Sequence, residues 1–125
     1  MRVLIPLNKD FDFKKCEKLY LLNQSLLNDE SSFHEVIKNT FFYSFYEGKE
    51  LTLCVYYYEK GGKLWVNGYG IRKKHLYNKN CFIKSLSWFN CDIWAFTPHR
   101  EVAFALLRCG FKKIKDNVYM YKNSK

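Results

Sequence analysis

Between Phe41 and Ile71 the chain becomes dense in aromatic and β-branched residues, and this stretch constrains the fold more than any other. Phe41 to Glu47 and Leu51 to Glu59 are rich in Phe, Tyr, Val and Thr, and each run ends in turn residues. Glu47-Gly48-Lys49 and Lys60-Gly61-Gly62-Lys63 are short connections carrying glycine, which suits the tight turns of hairpins. The pattern predicts three strands, about 41–47, 50–59 and 63–71, in an antiparallel meander. Gly68 and Gly70 fall inside the third strand, where glycine marks a bulge or a place where a ligand or another backbone comes close.

Helical spacing governs the segment before the meander. Arg2 to Leu7 reads as an opening strand interrupted at Pro6, and Asp12 can cap a helix that starts at Phe13. From Phe13 to Leu27 the residues Cys16, Leu19, Tyr20, Leu22, Leu26 and Leu27 recur at helical spacing. Ser32-Phe33-His34-Glu35 has the spacing of a capping box, so a second short helix should run to about Asn39. After the meander, Arg72-Lys73-Lys74-His75 forms a basic turn leading toward Asn78 and Asn80. A helix is expected over Lys79–Phe89, with Phe82, Ile83, Leu86 and Phe89 on one face, then a short strand over Asp92–Phe96. Thr97-Pro98 signals a further helix that passes Val102, Ala103, Leu106 and Leu107 and stops at Gly110. Phe111–Lys115 and Val118–Lys122 close the chain as a hairpin around Asp116-Asn117.

A length of 125 residues suits one domain, and 48% hydrophobic with 19% aromatic content excludes wholesale disorder. No apolar run approaches the roughly 18–20 residues of a membrane span, and the N-terminus is too short for a signal h-region. A soluble, cytoplasmic protein is expected. Five cysteines without a Cys-x-x-Cys pair suit a reducing compartment, and the three histidines never stand at metal-ligand spacing, so no metal is expected. Cys54 and Cys81 have apolar neighbours and read as small buried hydrophobes. Charge is divided unevenly. Residues 1–59 carry 7 basic and 9 acidic side chains, net −2, while residues 60–125 carry 14 and 3, net +11. Such a half suits an anionic partner, whether nucleotide phosphates, a nucleic-acid backbone or an acidic protein surface, or a solvated lysine-rich surface.

The order strand, helix, helix, three-strand meander, helix, strand, helix, strand, strand, with the segment from Asp92-Ile93-Trp94-Ala95-Phe96 through Ala103 to Gly110-Phe111-Lys112, resembles the GNAT superfamily of acyl-CoA-dependent N-acetyltransferases. The resemblance implies an α+β fold: a single GNAT-like domain spanning residues 1–125, with a mixed, mostly antiparallel twisted sheet of six to seven strands and about four helices. It implies acetyl-CoA and an amine acceptor, small molecule or protein. In that family the third meander strand splays from the next and exposes backbone to the pantetheine arm, and an Arg/Gln-x-x-Gly-x-Gly/Ala turn binds the pyrophosphate. The stretch that matches is Tyr77-Asn78-Lys79-Asn80-Cys81-Phe82, where Tyr77 replaces the Arg/Gln, Asn80 the first Gly and Phe82 the Gly/Ala. By position, the resemblance makes Tyr69, Gly70, Ile71, Arg72, Lys73, Lys74, Asn78, Lys79 and Asn80 the candidate cofactor-binding residues. Left-handed asparagines at 78 and 80 would preserve a nest of amides there. In the later helix, His99 stands where many members have Asn, and Leu106 where many have the Tyr that protonates the departing thiolate. The acid must then come from elsewhere, with Tyr69, Tyr119 and Cys109 as candidates, and Glu47, Glu50 or Glu59 is a candidate base.

Three classes of function are compatible with these features. The first is an N-acetyltransferase; the second is a non-catalytic binding or assembly protein on the same fold, as some phages carry; the third is a basic nucleic-acid-binding module. For the third, Trp65, Tyr69, Trp88 and Trp94 would be stacking platforms, although their spacing suits a core, and one of Tyr56, Tyr57 and Tyr58 would face away from the core into a groove. No RNP-like motif, zinc knuckle or helix-turn-helix accompanies them.

Overall fold

The aromatic meander forms as its pattern requires, and it supplies the middle of the sheet. The computed structural model describes residues 1–123. In chain order the elements are β1 (Arg2–Leu4), α1 (Phe13–Leu27), α2 (Phe33–Asn39), β2 (Phe41–Glu47), β3 (Glu50–Lys60), β4 (Lys63–Gly70), a 3-10 turn (Arg72–Lys74), α3 (His75–Leu86), β5 (Ile93–Phe96), α4 (Arg100–Arg108), β6 (Lys112–Lys115) and β7 (Val118–Tyr121). Among the described residues, seven strands make one mixed sheet in the order β1-β2-β3-β4-β5-β7-β6. Only the β4–β5 pair in that order is parallel. Gly61 and Gly62, at φ +62° and +74°, make the two-residue turn that joins β3 to β4, a conformation other residues rarely adopt.

Helices cover both faces of the meander, which is why β3 reads as a nearly continuous apolar run. Leu53, Val55 and Tyr57 of β3 join Val66 of β4 and pack beneath Cys81 and Leu86 of α3 and Leu106 of α4. Cys54 and Tyr56 point the other way and, with Tyr69, meet Cys16, Tyr20 and Leu27 of α1 and Phe33 and Val36 of α2. The three consecutive tyrosines therefore all turn into helical layers. Tyr57 bonds the Ser85 hydroxyl at 2.5 Å, Tyr56 donates to Asp29 Oδ2 at 2.8 Å, and Tyr58 is half-buried against the α1/α2 cluster. The outward-facing groove residue expected among them is absent because the sheet has no bare face there.

Several boundaries differ from the sequence reading for local reasons. α3 starts at His75, four residues before Lys79, because the 3-10 turn Arg72–Lys74 runs straight into it: Lys74 N–H donates to Ile71 C=O at 3.2 Å and His75 N–H to Arg72 C=O. The helix also stops at Leu86 rather than Phe89. α4 starts at Arg100, since Thr97 Oγ1 accepts from His99 N–H at 3.1 Å and holds a turn ahead of the helix. Its end is as expected. Gly110 at φ +100° lets its own N–H reach Leu107 C=O and that of Phe111 reach Leu106 C=O, closing the helix by a Schellman motif.

The capping box at α2 is complete. Ser32 Oγ accepts from Glu35 N–H at 3.2 Å, and Glu35 Oε1 accepts from Ser32 N–H at 3.0 Å. These bonds, the backbone one first, hold the Glu35 carboxyl below its ordinary pKa of 4.5. Ser32→Ala should lower stability by about 1 kcal/mol in urea unfolding at pH 7. A lowered folded-state pKa makes the Glu35 contribution complete above the ordinary value and removes it as pH falls through the folded one. The stability gap between wild type and Glu35→Gln should therefore be constant from neutral pH down to 4.5 and shrink below it.

Candidate functional site

β4 and β5 pair over only two residue pairs, Leu64 with Ile93 and Trp65 with Trp94, and then part. β5 is held along its whole length by β7, while β4 stays with β3 as far as Gly70. Just past β4, Ile71 N–H donates to Thr52 C=O at 3.0 Å. By the alternation of an antiparallel ladder, Gly70, Gly68 and Val66 then turn their backbone groups away from β3, toward the gap. Gly68 N–H is met there by the neighbouring Asn67 Oδ1 at 3.0 Å, while Asn67 Nδ2 donates across to Leu27 C=O at the end of α1. The result is a wedge-shaped split in the sheet, lined on the β4 bank by backbone and small residues.

β4 leaves the split into the 3-10 turn, whose first residues have no side-chain cap, and β5 leaves it into α4. Arg72, Lys73 and Lys74 stand on that turn, each beside a carboxylate from a different element. Arg72 Nη2 lies 3.4 Å from Glu101 Oε2 of α4, Lys73 Nζ 3.1 Å from Glu50 Oε2 at the start of β3, and Lys74 Nζ 2.5 Å from Glu47 Oε1 at the end of β2. The Glu47 contact pushes the Lys74 pKa up. The Arg72–Glu101 pair joins the two banks of the split. Its side chains are 86% and 58% exposed, so water screens it.

Asn78, Lys79 and Asn80 lie within α3 instead of on a turn, so no nest of left-handed amides forms there; among the described residues, those with positive φ outside glycine are Asn28 and Asn117. Asn78 is buried, and its Nδ2 donates to Thr52 C=O at 2.9 Å and Ile71 C=O at 3.2 Å, fastening α3 to the ends of β3 and β4. Its Oδ1 is buried without a hydrogen-bond partner. This amide dictates the glycine at 70: a Cβ there would sit 2.7 Å from both Asn78 Nδ2 and Thr52 O. Lys79 is half-buried near Cys109, and Asn80 is exposed. Phe82, which stands where the family has a small residue, turns inward and stacks on Phe111 with ring centres 6.1 Å apart.

The candidate acids and bases are dispersed. Tyr69 is 4% exposed on the α1 side of the sheet and donates to Cys16 C=O at 3.0 Å; burial first, and the Cys54 thiol second, push its pKa far above 10. Such a phenol holds its proton. Tyr119 of β7 and Leu106 of α4 are buried in the same core cluster, and Cys109, at the end of α4, has its thiol pKa pushed up by burial. Glu50 is engaged with Lys73. The sequence reading did not pick out Glu101, Asn67 or Thr52; the only signal for them was position, an acidic residue in the first turn of α4 and polar residues inside strands. An open depression at the connection between α1 and α2 is lined by Gln24, Ser25, Asn28, Asp29 and Glu30. A smaller one runs between α1 and the β2–β3 hairpin, past Lys15, Lys18 and Glu50.

No protein-family model matches the chain, and no curated protein sequence matches it. Solved structures do. The protein smu.2055 from Streptococcus mutans UA159 superposes with a TM-score of 0.71 at 12% identity, covering 99% of this chain and 100% of that one. An N-acetyltransferase from Staphylococcus aureus Mu50 superposes with a TM-score of 0.66 at 13% identity, covering 98% of each chain. The mixed seven-stranded sheet and the four helices among the described residues make an α+β fold that these neighbours share and that is consistent with a GNAT-like architecture. No helix among the described residues is long and apolar enough to cross a membrane, and no group of His, Cys, Asp and Glu among them could hold a metal ion.

The packing at Gly70 makes a direct test. Gly70→Ala should destabilise the protein by about 1–3 kcal/mol in urea unfolding, since both atoms it meets are fixed. Gly68→Ala, whose Cβ would approach Cys54 O at 3.2 Å, should cost less.

Proposed function

We propose that this chain is an N-acetyltransferase that moves an acetyl group from acetyl-CoA to an amine. The observation that carries the reading is the parting of β4 and β5 after two residue pairs, with the basic, uncapped turn Arg72–Lys74 directly at its mouth. The donor set fits the ligand in kind. Gly68 and Gly70 offer backbone without side chains on the β4 bank, where an amide-bearing arm can bond as an extra strand would. Arg72, Lys73 and Lys74 offer charge-assisted bonds to phosphate oxygens. Phe82 does not obstruct this, since its ring lies against Phe111.

The thioester supplies an activated acyl group. The chain's part is then to hold donor and amine together, for orientation alone accelerates bimolecular reactions greatly. The amine must be neutral to attack, and a chain of water molecules at the open split can carry its proton to solvent. Tyr69 spends its hydroxyl proton on Cys16 C=O within the α1/α2 layer, so the departing sulfur takes its proton from solvent or the acceptor.

A second reading, a non-catalytic acetyltransferase-like protein that binds a ligand or partner, is favoured by the buried Leu106 and the enclosed Tyr69 hydroxyl. Calorimetry with acetyl-CoA separates the outcomes. Binding is expected, and Arg72→Ala/Lys73→Ala should weaken it by about 10- to 100-fold without changing circular dichroism, with salt weakening the wild type. Release of free thiol in the presence of polyamines or lysine peptides supports the first reading; binding without release supports the second. Absence of binding at millimolar acetyl-CoA contradicts both as far as this ligand is concerned.

A further inference from the structure

The sequence alone suggests a basic turn open to any anion, yet each of its three cations already has a carboxylate against it. Those carboxylates come from three separate elements: Glu47 from the end of β2, Glu50 from the start of β3 and Glu101 from the first turn of α4. No single local motif produces such an arrangement. Exposed ion pairs of this kind add little to folding stability, because water and salt screen both partners. Their effect on an incoming anion is larger. A phosphate that bonds Arg72, Lys73 and Lys74 must displace three carboxylates, and after displacement these stay within reach and repel it.

We propose that Glu47, Glu50 and Glu101 set the affinity of the turn for phosphate ligands by competing for its cations, so that a lone phosphate or a passing polyanion binds poorly and a ligand needs further contacts, such as those along the β4 bank, to displace them. The inference rests on the reading of the split and its turn as the acyl-CoA site. Glu101 has the strongest role, because its pair with Arg72 ties the two banks of the split together and must open for a ligand to lie across the mouth. The three glutamates are positioning residues, acting through the cations.

The test is calorimetry on the full chain with two probes, CoA and inorganic pyrophosphate, comparing wild type with Glu47→Gln/Glu50→Gln/Glu101→Gln. The glutamines keep the side-chain shape and release the cations. The variant should bind both probes about tenfold or more tightly, given three weak pairs lost together. Its binding should also fall more steeply with salt than that of wild type, because cations no longer neutralised by the chain carry counterions that the ligand releases. Glu30→Gln/Asp116→Asn, which removes two carboxylates elsewhere, controls for net charge and should tighten binding less than Glu50→Gln/Glu101→Gln. If wild type binds CoA and the triple variant binds it no better than the control, the competition is refuted while the acyl-CoA reading stands. If neither protein binds CoA but the triple variant gains pyrophosphate binding, the competition stands and the acyl-CoA reading falls. If neither binds either probe, both are refuted.

Discussion

The two-pair contact between β4 and β5 is the constraint on which the rest of the architecture turns. A parallel crossover must carry the chain over one face of the sheet, and here α3 does so. β5 then satisfies its backbone on β7 over all four residues, whereas β4 satisfies its own on β3 over eight. Past Trp65 and Trp94 no ladder pairs draw the two strands together, and beyond their ends the exposed Arg72–Glu101 pair bridges the banks. The asymmetry leaves Gly68 and Gly70 facing a gap and delivers two chain segments, the Arg72–Lys74 turn and the start of α4, to its two banks.

Order at that gap comes from a small polar network. Thr52 C=O accepts from both Ile71 N–H and Asn78 Nδ2, so one carbonyl fixes the end of β4 and the first turns of α3 together. Because Asn78 passes so close, residue 70 has no room for a side chain. On the other face Tyr69, Cys54 and Cys16 are enclosed with the aromatic layer of α1 and α2, and burial holds the Cys54 thiol and the Tyr69 phenol in their neutral forms. The charges near the split therefore reside at its mouth, in three cations and three carboxylates.

The meander was legible because its pattern and its glycine turns are local, and the Ser32–Glu35 box and the Gly110 stop were legible for the same reason. The start of α3 was not. Asparagine at 78 and 80 suggested a turn, but the Asn78 side chain bonds to backbone of β3 and of the segment after β4, distant in sequence, and that tertiary bond suits a helix. The face of Tyr69 follows from strand alternation, but that its hydroxyl would be enclosed by α1 does not. Nor could charge counting show that Arg72, Lys73 and Lys74 meet Glu101, Glu50 and Glu47, for those pairs depend on which ends of three strands and a helix the fold brings together.

Whether the acyl donor sits in the split between β4 and β5 can be read residue by residue. Isotope-labelled protein is titrated with acetyl-CoA and followed by amide proton–nitrogen NMR. A donor in the split should produce its largest shifts at Gly68, Gly70, Arg72 and Lys73, with little change along β1 and β2. Shifts centred on Gln24 to Glu30 or on the outer face of α4, with Gly68 and Gly70 unmoved, would place the donor elsewhere and remove the split from its role.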